Sequence, residues 1–298
     1  MFQPFTGLYE PSAIQQLQDG RFLVVEDEKK NPFTLVTISA TGAVSSTPLL
    51  PPRRVDDAVW KLDDLEALAL DRAGYVYALT SHSRDSEGDE KKSRNKLLRF
   101  RVEGERMAEP VLVKGLKRAL VAAHPLLADA TEVRDVKAQG GLNIEALEIS
   151  TDGQMLIGLR SPLLDQCAII ACVENLTAVF EAGEPLRVSP RLLTLDLGGN
   201  GIRALSYIPG LGGYLVVSGP VAREQIQFQL WFWRGNPAEA PRRVSVAGLQ
   251  GFAHAEGVSP AVIDGQQRIV IVSDDGNRKA GRYAHFLLLK LEELELGE

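Results

Sequence analysis

A strand, a glycine turn and a second, more continuously apolar strand recur five times along the chain, and this repetition limits the fold more than any other feature. The turns centre on Gly20, Gly74, Gly153, Gly212 and Gly265, and the second strands read FLVV, YVYAL, MLIGL, YLVV and IVIV. A third strand follows each of them, in PFTLVTIS, KLLRFRVE, CAIIACV, FQLWFWR and HFLLLKLEE. Weaker, edge-like fourth strands are visible in AVSSTPLL, EPVLVKG, RLLTLDLG and RRVSVAG. Four-stranded meanders repeated in this way bury their faces by stacking around an axis. The reading is an all-β, five-bladed β-propeller that occupies residues 1–298 as a single domain. The fifth unit lacks a fourth strand, and the segment MFQPFTGLY precedes the first unit. That segment is predicted to complete the last blade, because ring closure leaves no long unpaired edge.

The widest gap between turn glycines lies between Gly74 and Gly153, and a sixth blade there is the alternative. Within it Leu116, Leu120, Ala123 and Leu127 recur at helical spacing, Pro125 interrupts, and β-branched alternation is missing. The expectation is a helical insertion at about residues 114–141, between the second and third blades. The mixed-sign loop RDSEGDEKKSRN, earlier in the same gap, reads as solvated.

A net charge of −6 and no cluster of Lys and Arg argue against nucleic acid or an anionic membrane as partner. The first residues show no export signal and no run is long enough to span a bilayer, so a soluble, cytoplasmic protein is expected. The two cysteines, Cys167 and Cys172, sit at an odd offset along one strand. That puts them on opposite faces ~16 Å apart, too far for a disulfide.

In a propeller the start of each innermost strand and the end of the second strand line one mouth of the central channel. Counting back from the glycines, the innermost strands are headed by Ser12, Glu66, Glu145, Arg203 and Glu256. The second strands end in Glu26 and Asp27, Ser81 and His82, Arg160, Ser218, and Asp274 with Asp275. All are polar. Carboxylates held this close need a proton, an arginine or a cation to compensate them. Arg160 and Arg203 are candidates from within the chain. A divalent cation, calcium or magnesium, is the other, with Glu66, Glu145 and Glu256 as candidate metal ligands and Asn143 and Asn200 as neutral oxygen donors. Asp27, His82, Arg160, Arg203 and Asp274 are the candidate ligand-binding residues, and His82 and Glu145 the candidate acid–base groups. Trp231 and Trp233 share one strand face and are expected to pack between blades.

The phrases GLNIEALEISTDGQMLIGLRSPL, DLEALALDRAGYVYALTSHS and HAEGVSP resemble those of a bacterial propeller family classed as a domain of unknown function. More distantly they are similar to esterase-like phytase domains and to the calcium-dependent gluconolactonase and regucalcin group. The resemblance implies a propeller. Ala67 and Ala146 stand where the family often has glycine, and Arg203 replaces an acid in the fourth unit, which favours an asymmetric pocket. No serine-hydrolase elbow, nucleotide-binding glycine pattern or zinc set is present. Two functions follow as expectations: a small-ligand site at the mouth, metal-dependent and hydrolysing an ester, lactone or phosphoester, or a non-enzymatic scaffold for a protein partner.

Overall fold

The computed structural model describes residues 2–26, 31–53, 59–222, 228–252 and 254–297. After β1 (Gln3–Pro4), blade 1 runs through β2 (Pro11–Gln16), β3 (Phe22–Glu26), β4 (Phe33–Ile38) and β5 (Val44–Pro48). Blade 2 holds β6 (Leu65–Leu70), β7 (Val76–Thr80), β8 (Leu97–Glu103) and β9 (Arg106–Val113). Blade 3 holds β10 (Asn143–Ile149), β11 (Met155–Ser161), β12 (Ala168–Val173) and β13 (Leu193–Leu195). Blade 4 holds β14 (Gly201–Ile208), β15 (Gly213–Gly219), β16 (Gln229–Trp233) and β17 (Arg242–Val246). Blade 5 holds β18 (Ala255–Ile263), β19 (Gln266–Ser273) and β20 (His285–Leu289), and β1 pairs antiparallel with β20 as its fourth strand. The chain is a five-bladed propeller closed by its N-terminal strand.

The repeat has a backbone cause. Gly20, Gly74, Gly153, Gly212 and Gly265 all have positive φ, between 62° and 88°, a region that costs glycine little and other residues much. The second strands are apolar on both faces because each feeds two inter-blade interfaces. In β3, Leu23 and Val25 pack toward blade 2, whereas Phe22 and Val24 pack toward blade 5. The buried residues form one cluster per interface around the ring. Trp231 and Trp233 belong to the interface with blade 3, and Phe232 to the one with blade 5. Both cysteines are free thiols.

The insertion is helical, as its spacing predicts: α1 (Leu116–Ala123), α2 (Pro125–Glu132) and α3 (Val136–Gln139). Pro125 opens α2 at its first turn, where a missing N–H costs nothing. Leu116, Leu120 and Leu127 are fully buried against blades 2 and 3. The charged loop is tied to this insertion. Arg84 Nε donates to the Thr131 carbonyl (2.8 Å), and Lys117 pairs with Glu90 (2.7 Å). Two elements differ from the sequence reading. α4 (Leu176–Ala182) lies between β12 and β13, burying Leu176, Val179 and Phe180 at helical spacing. The segment expected to continue the last third strand leaves blade 5 after Leu289, and β21 (Leu294–Leu296) adds to the outer edge of blade 4.

One irregularity is common to all five innermost strands. The β2–β3 register steps from Pro11 to Ala13, β6–β7 from Leu65 to Ala67, and β10–β11 from Ile144 to Ala146. The β14–β15 register steps from Ile202 to Ala204, and β18–β19 from Ala255 to Gly257. The skipped residues are Ser12, Glu66, Glu145, Arg203 and Glu256. A bulge leaves its extra residue out of the ladder and re-aims its side chain. The next residue in every blade is small, and Ala13, Ala67, Ala146, Ala204 and Gly257 close the channel to a void of about 10 Å³.

Candidate functional site

The five bulge residues surround a cavity of about 330 Å³ at the channel mouth, floored by the small residues beneath them. Its centre is a chain of ion pairs. Glu145 Oε1 accepts from Asn143 Nδ2 (2.8 Å) and from Arg160 Nη1 (3.0 Å). Glu145 Oε2 pairs with Arg203 Nη1 (3.0 Å), which also donates to Glu256 Oε1 (2.6 Å). Arg160 is held in turn by its Nε on the Pro220 carbonyl (2.9 Å). Close packing supports Arg203: a Cβ at Gly219 would lie 3.0 Å from its Nε, and Phe228 lies 5.2 Å from its guanidinium. Glu66, the third carboxyl of the ring, makes no hydrogen bond or ion pair among the described residues.

Burial first, then the charges of Asp64, Glu145 and Glu256, holds the Glu66 carboxyl well above the usual carboxylate range. Burial also pushes Glu256 up to about 8, against the pull of Arg203, and pushes Asp274 up to about 6 with help from Glu10. At the far end of β10, burial raises Glu148 to about 7, although its carboxylate accepts from the backbone N–H of Tyr207 across the blade 3–blade 4 interface (2.7 Å). Acids raised in this way favour folding below their ordinary pKa, and that stability is lost as pH climbs through the raised values, here between about 4 and about 8. His82 acts in the opposite sense. Burial lowers it to about 4, so its contribution is present above 6.5 and is lost as pH falls toward 4. The melting midpoint is therefore expected to be higher at pH 6 than at pH 8.5, with a shallower alkaline decline in Glu256→Gln. A midpoint that rises toward pH 8.5 would contradict the burial of these carboxyls.

The structure brings together most of the residues picked from the repeat. Ser12, Glu66, Glu145, Arg160, Arg203, Glu256 and Asp274 all line the cavity. His82 does not: it is 1 % exposed, and its Nδ1 lies 2.8 Å from the Thr80 carbonyl, because a φ of 57° turns the chain inward after β7. Asp27 falls outside the described residues. Ser218 accepts from Trp231 Nε1 (2.9 Å), and Glu26 accepts from the N–H of Tyr9 (2.8 Å), so both serve the rim as structure. Sequence reasoning missed Glu10 and Asp64, which line the cavity two residues before Ser12 and Glu66. The signal was available, since Asn143 stands in the same relation to Glu145. It also missed Arg94, which pairs with Asp64 (3.0 Å), and Ser83, whose Oγ donates to the same carboxylate oxygen (3.1 Å). Arg134 to Lys137 of the insertion reach over the cavity as well.

The three ring glutamates fit a divalent cation poorly. Arg203 Nη1 stands where a cation bridging Glu145 and Glu256 would sit. Among the described residues, the acidic trio whose ligand atoms all lie within 4.8 Å of one another is instead Asp85, Glu87 and Asp89, in the charged loop. There Asp85 already pairs with Lys91 (3.0 Å).

Residues 118–285 match the model of the family described as "Protein of unknown function (DUF3616)", more than half of the chain. The chain belongs to the DUF3616 family. No curated protein matches it. Among solved structures, this DUF3616 chain is similar to the PQQ-bound aldose sugar dehydrogenase of Streptomyces coelicolor, at 17 % identity over 99 % of this chain and 98 % of that one, with a TM-score of 0.46. A gluconolactonase of Xanthomonas campestris matches at 11 % identity over 95 % and 77 %, with a TM-score of 0.43. PorZ of Porphyromonas gingivalis, a surface component of the type-IX secretion system, matches at 12 % identity and a TM-score of 0.41; the match covers 89 % of this chain and spans 32 % of PorZ. Among the described residues, no helix is long and apolar enough to cross a membrane.

Proposed function

We propose that the channel mouth binds a small, neutral, hydroxylated ester or lactone and hydrolyses it. The observation that carries this reading is Glu66. Both arginines of the ring are committed to Glu145 and Glu256, so the remaining carboxyl faces the cavity without a partner among the described residues. Burial, and then the neighbouring carboxylates, favour its protonated form, which offers a hydrogen bond to a carbonyl or leaving-group oxygen. Asp274, raised to about 6, is ionised at neutral pH and a stronger base than an ordinary aspartate, which suits it to draw a proton from an attacking water. Arg160 and Arg203 steady negative charge that develops beside Glu145. Arg160 and Arg203 are both held on ring carboxylates, so neither is free to take a phosphoester dianion, whereas a neutral carbonyl needs only a hydrogen-bond donor. The scaffold reading has less support. Large exposed apolar side chains among the described residues are Leu50, Val262, Tyr283 and Leu296, on four separate segments.

The test is acid release from a hydroxylated δ-lactone by chelator-treated protein and by Glu66→Gln. Turnover by the parent, with kcat/KM reduced about tenfold or more in the variant, is expected for the loss of a general acid. Parallel melts with calcium, magnesium and manganese examine the metal-dependent alternative. A cation at a hundred times its Kd would add about 2.7 kcal/mol. Such a rise in the parent, absent in Glu66→Gln, would reassign Glu66 as a metal ligand.

A further inference from the structure

A second cavity, of about 600 Å³, opens on the same face at the outer part of blade 2. Three segments distant in sequence build it: Lys61 before β6, Lys92 to Lys96 before β8, and Leu112 to Gly115 between β9 and α1. Its charged lining among the described residues is Lys61, Lys92, Lys96 and Lys114, with no carboxylate. Lys96 is 8 % exposed and is anchored by its Nζ on the Lys61 carbonyl (2.5 Å). Lys92 and Lys114 are exposed and have no acidic partner among the described residues. Positive charge gathered in a concavity concentrates anions there, and lysine binds phosphate as a point charge. Asn95 adds a second kind of group. Its amide nitrogen is fixed on the Lys91 carbonyl (2.9 Å), which leaves its oxygen as a buried acceptor with no partner. A ligand hydroxyl would supply the missing donor. Gly115 also lines the cavity, and no side chain caps the helix that follows it.

We propose that this cavity is a separate binding site for a small phosphorylated hydroxy compound, its phosphate held by Lys92 and Lys114 and a hydroxyl by Asn95. The site is separate from the channel mouth, whose ring arginines are already held by Glu145 and Glu256.

Calorimetric titration with glycerol 3-phosphate, inorganic phosphate and glycerol tests the assignment. Saturable binding of glycerol 3-phosphate is expected in the parent, weakened about tenfold or more in the double variant Lys92→Ala/Lys114→Ala. Lys290→Ala, in the distant C-terminal segment, is expected to bind as the parent does. Asn95→Ala should weaken glycerol 3-phosphate while leaving inorganic phosphate unchanged. Because Lys92 and Lys114 are exposed, their double variant should melt like the parent, so lost binding reports the site and not the fold. The proposal is overturned if the parent binds no phosphate compound, if Lys290→Ala weakens binding as much as the double variant, or if Asn95→Ala affects both phosphates equally.

Discussion

Arg203→Leu is expected to cost about 3–5 kcal/mol of stability at neutral pH, the usual cost of removing one member of a buried ion-pair network. The side chain is 8 % exposed, and its Nη1 neutralises two carboxylates at once, Glu145 at 3.0 Å and Glu256 at 2.6 Å. Leucine leaves both acids facing each other across the ring, with Glu66 beside them and only Arg160 in compensation. For a chain of this size the loss corresponds to a fall in melting midpoint on the order of 10 °C. The pH dependence separates this cause from simple loss of packing. Without Arg203 the Glu66 and Glu256 carboxyls are pushed further toward their neutral forms, so the penalty is large above their raised pKa values and shrinks as they protonate. Most of the lost stability should therefore return by pH 5, whereas a cavity left by the missing guanidinium would cost the same at both values. Arg203→Lys retains the charge, but a single ammonium cannot reproduce the guanidinium fork or its contact with Phe228. An intermediate loss is expected. A midpoint for Arg203→Leu within a degree or two of the parent at pH 7.5 would mean that the ring is held by something other than its arginines.

The constancy of the hairpin is what makes this ring legible in the sequence. Ser12, Glu66 and Glu145 each lie eight residues before their turn glycine, whereas Arg203 and Glu256 lie nine before theirs. The extra residue belongs to longer hairpins, with Pro209–Leu211 forming a 3-10 turn in blade 4 and β18 running on to Ile263. The turn takes up that difference, while the same one-residue bulge in every blade returns all five side chains to the axis. Periodicity alone could not reveal that bulge, because alternation describes a regular strand. It could not orient His82 either, since the chain leaves β7 through a left-handed residue and carries the imidazole into the interior. α4 was legible in principle from Leu176, Val179 and Phe180, yet two strands flank it closely enough to hide one short helix. The lysine cavity was out of reach, because its three segments meet only after blade 2 has folded. Local periodicity thus carries the architecture and one residue per blade, while features that join segments distant in sequence arise only when the blades fold and stack.

Closure of the ring by β1 makes the second large effect. Phe5→Ala is expected to destabilise the protein by about 3–5 kcal/mol, and deletion of residues 1–5 by more. Phe5 is 1 % exposed, stacks on Phe286 with ring centroids 4.7 Å apart, and its N–H donates to the Ala284 carbonyl (2.8 Å). It thus plugs the interface between the first and last blades, where β1 pairs with a strand from the far end of the chain to close the ring. Alanine removes the plug but leaves the strand pairing of Gln3 and Pro4 with Phe286 and His285. Deletion removes both, and exposes β20 as an unpaired edge between two apolar blade faces. The two variants should therefore differ in kind. Phe5→Ala should remain monodisperse with a lower midpoint, while the deletion should form larger species on size exclusion as concentration rises. β21 provides the control, since it too is a terminal strand added to a blade. Leu296 within it is 36 % exposed, and β21 extends the outer edge of blade 4 without joining two blades. Leu296→Ala is expected to change stability by less than about 1 kcal/mol. Equal effects of Phe5→Ala and Leu296→Ala would show that the ring does not depend on its N-terminal strand, and that the blades cohere through their apolar faces alone.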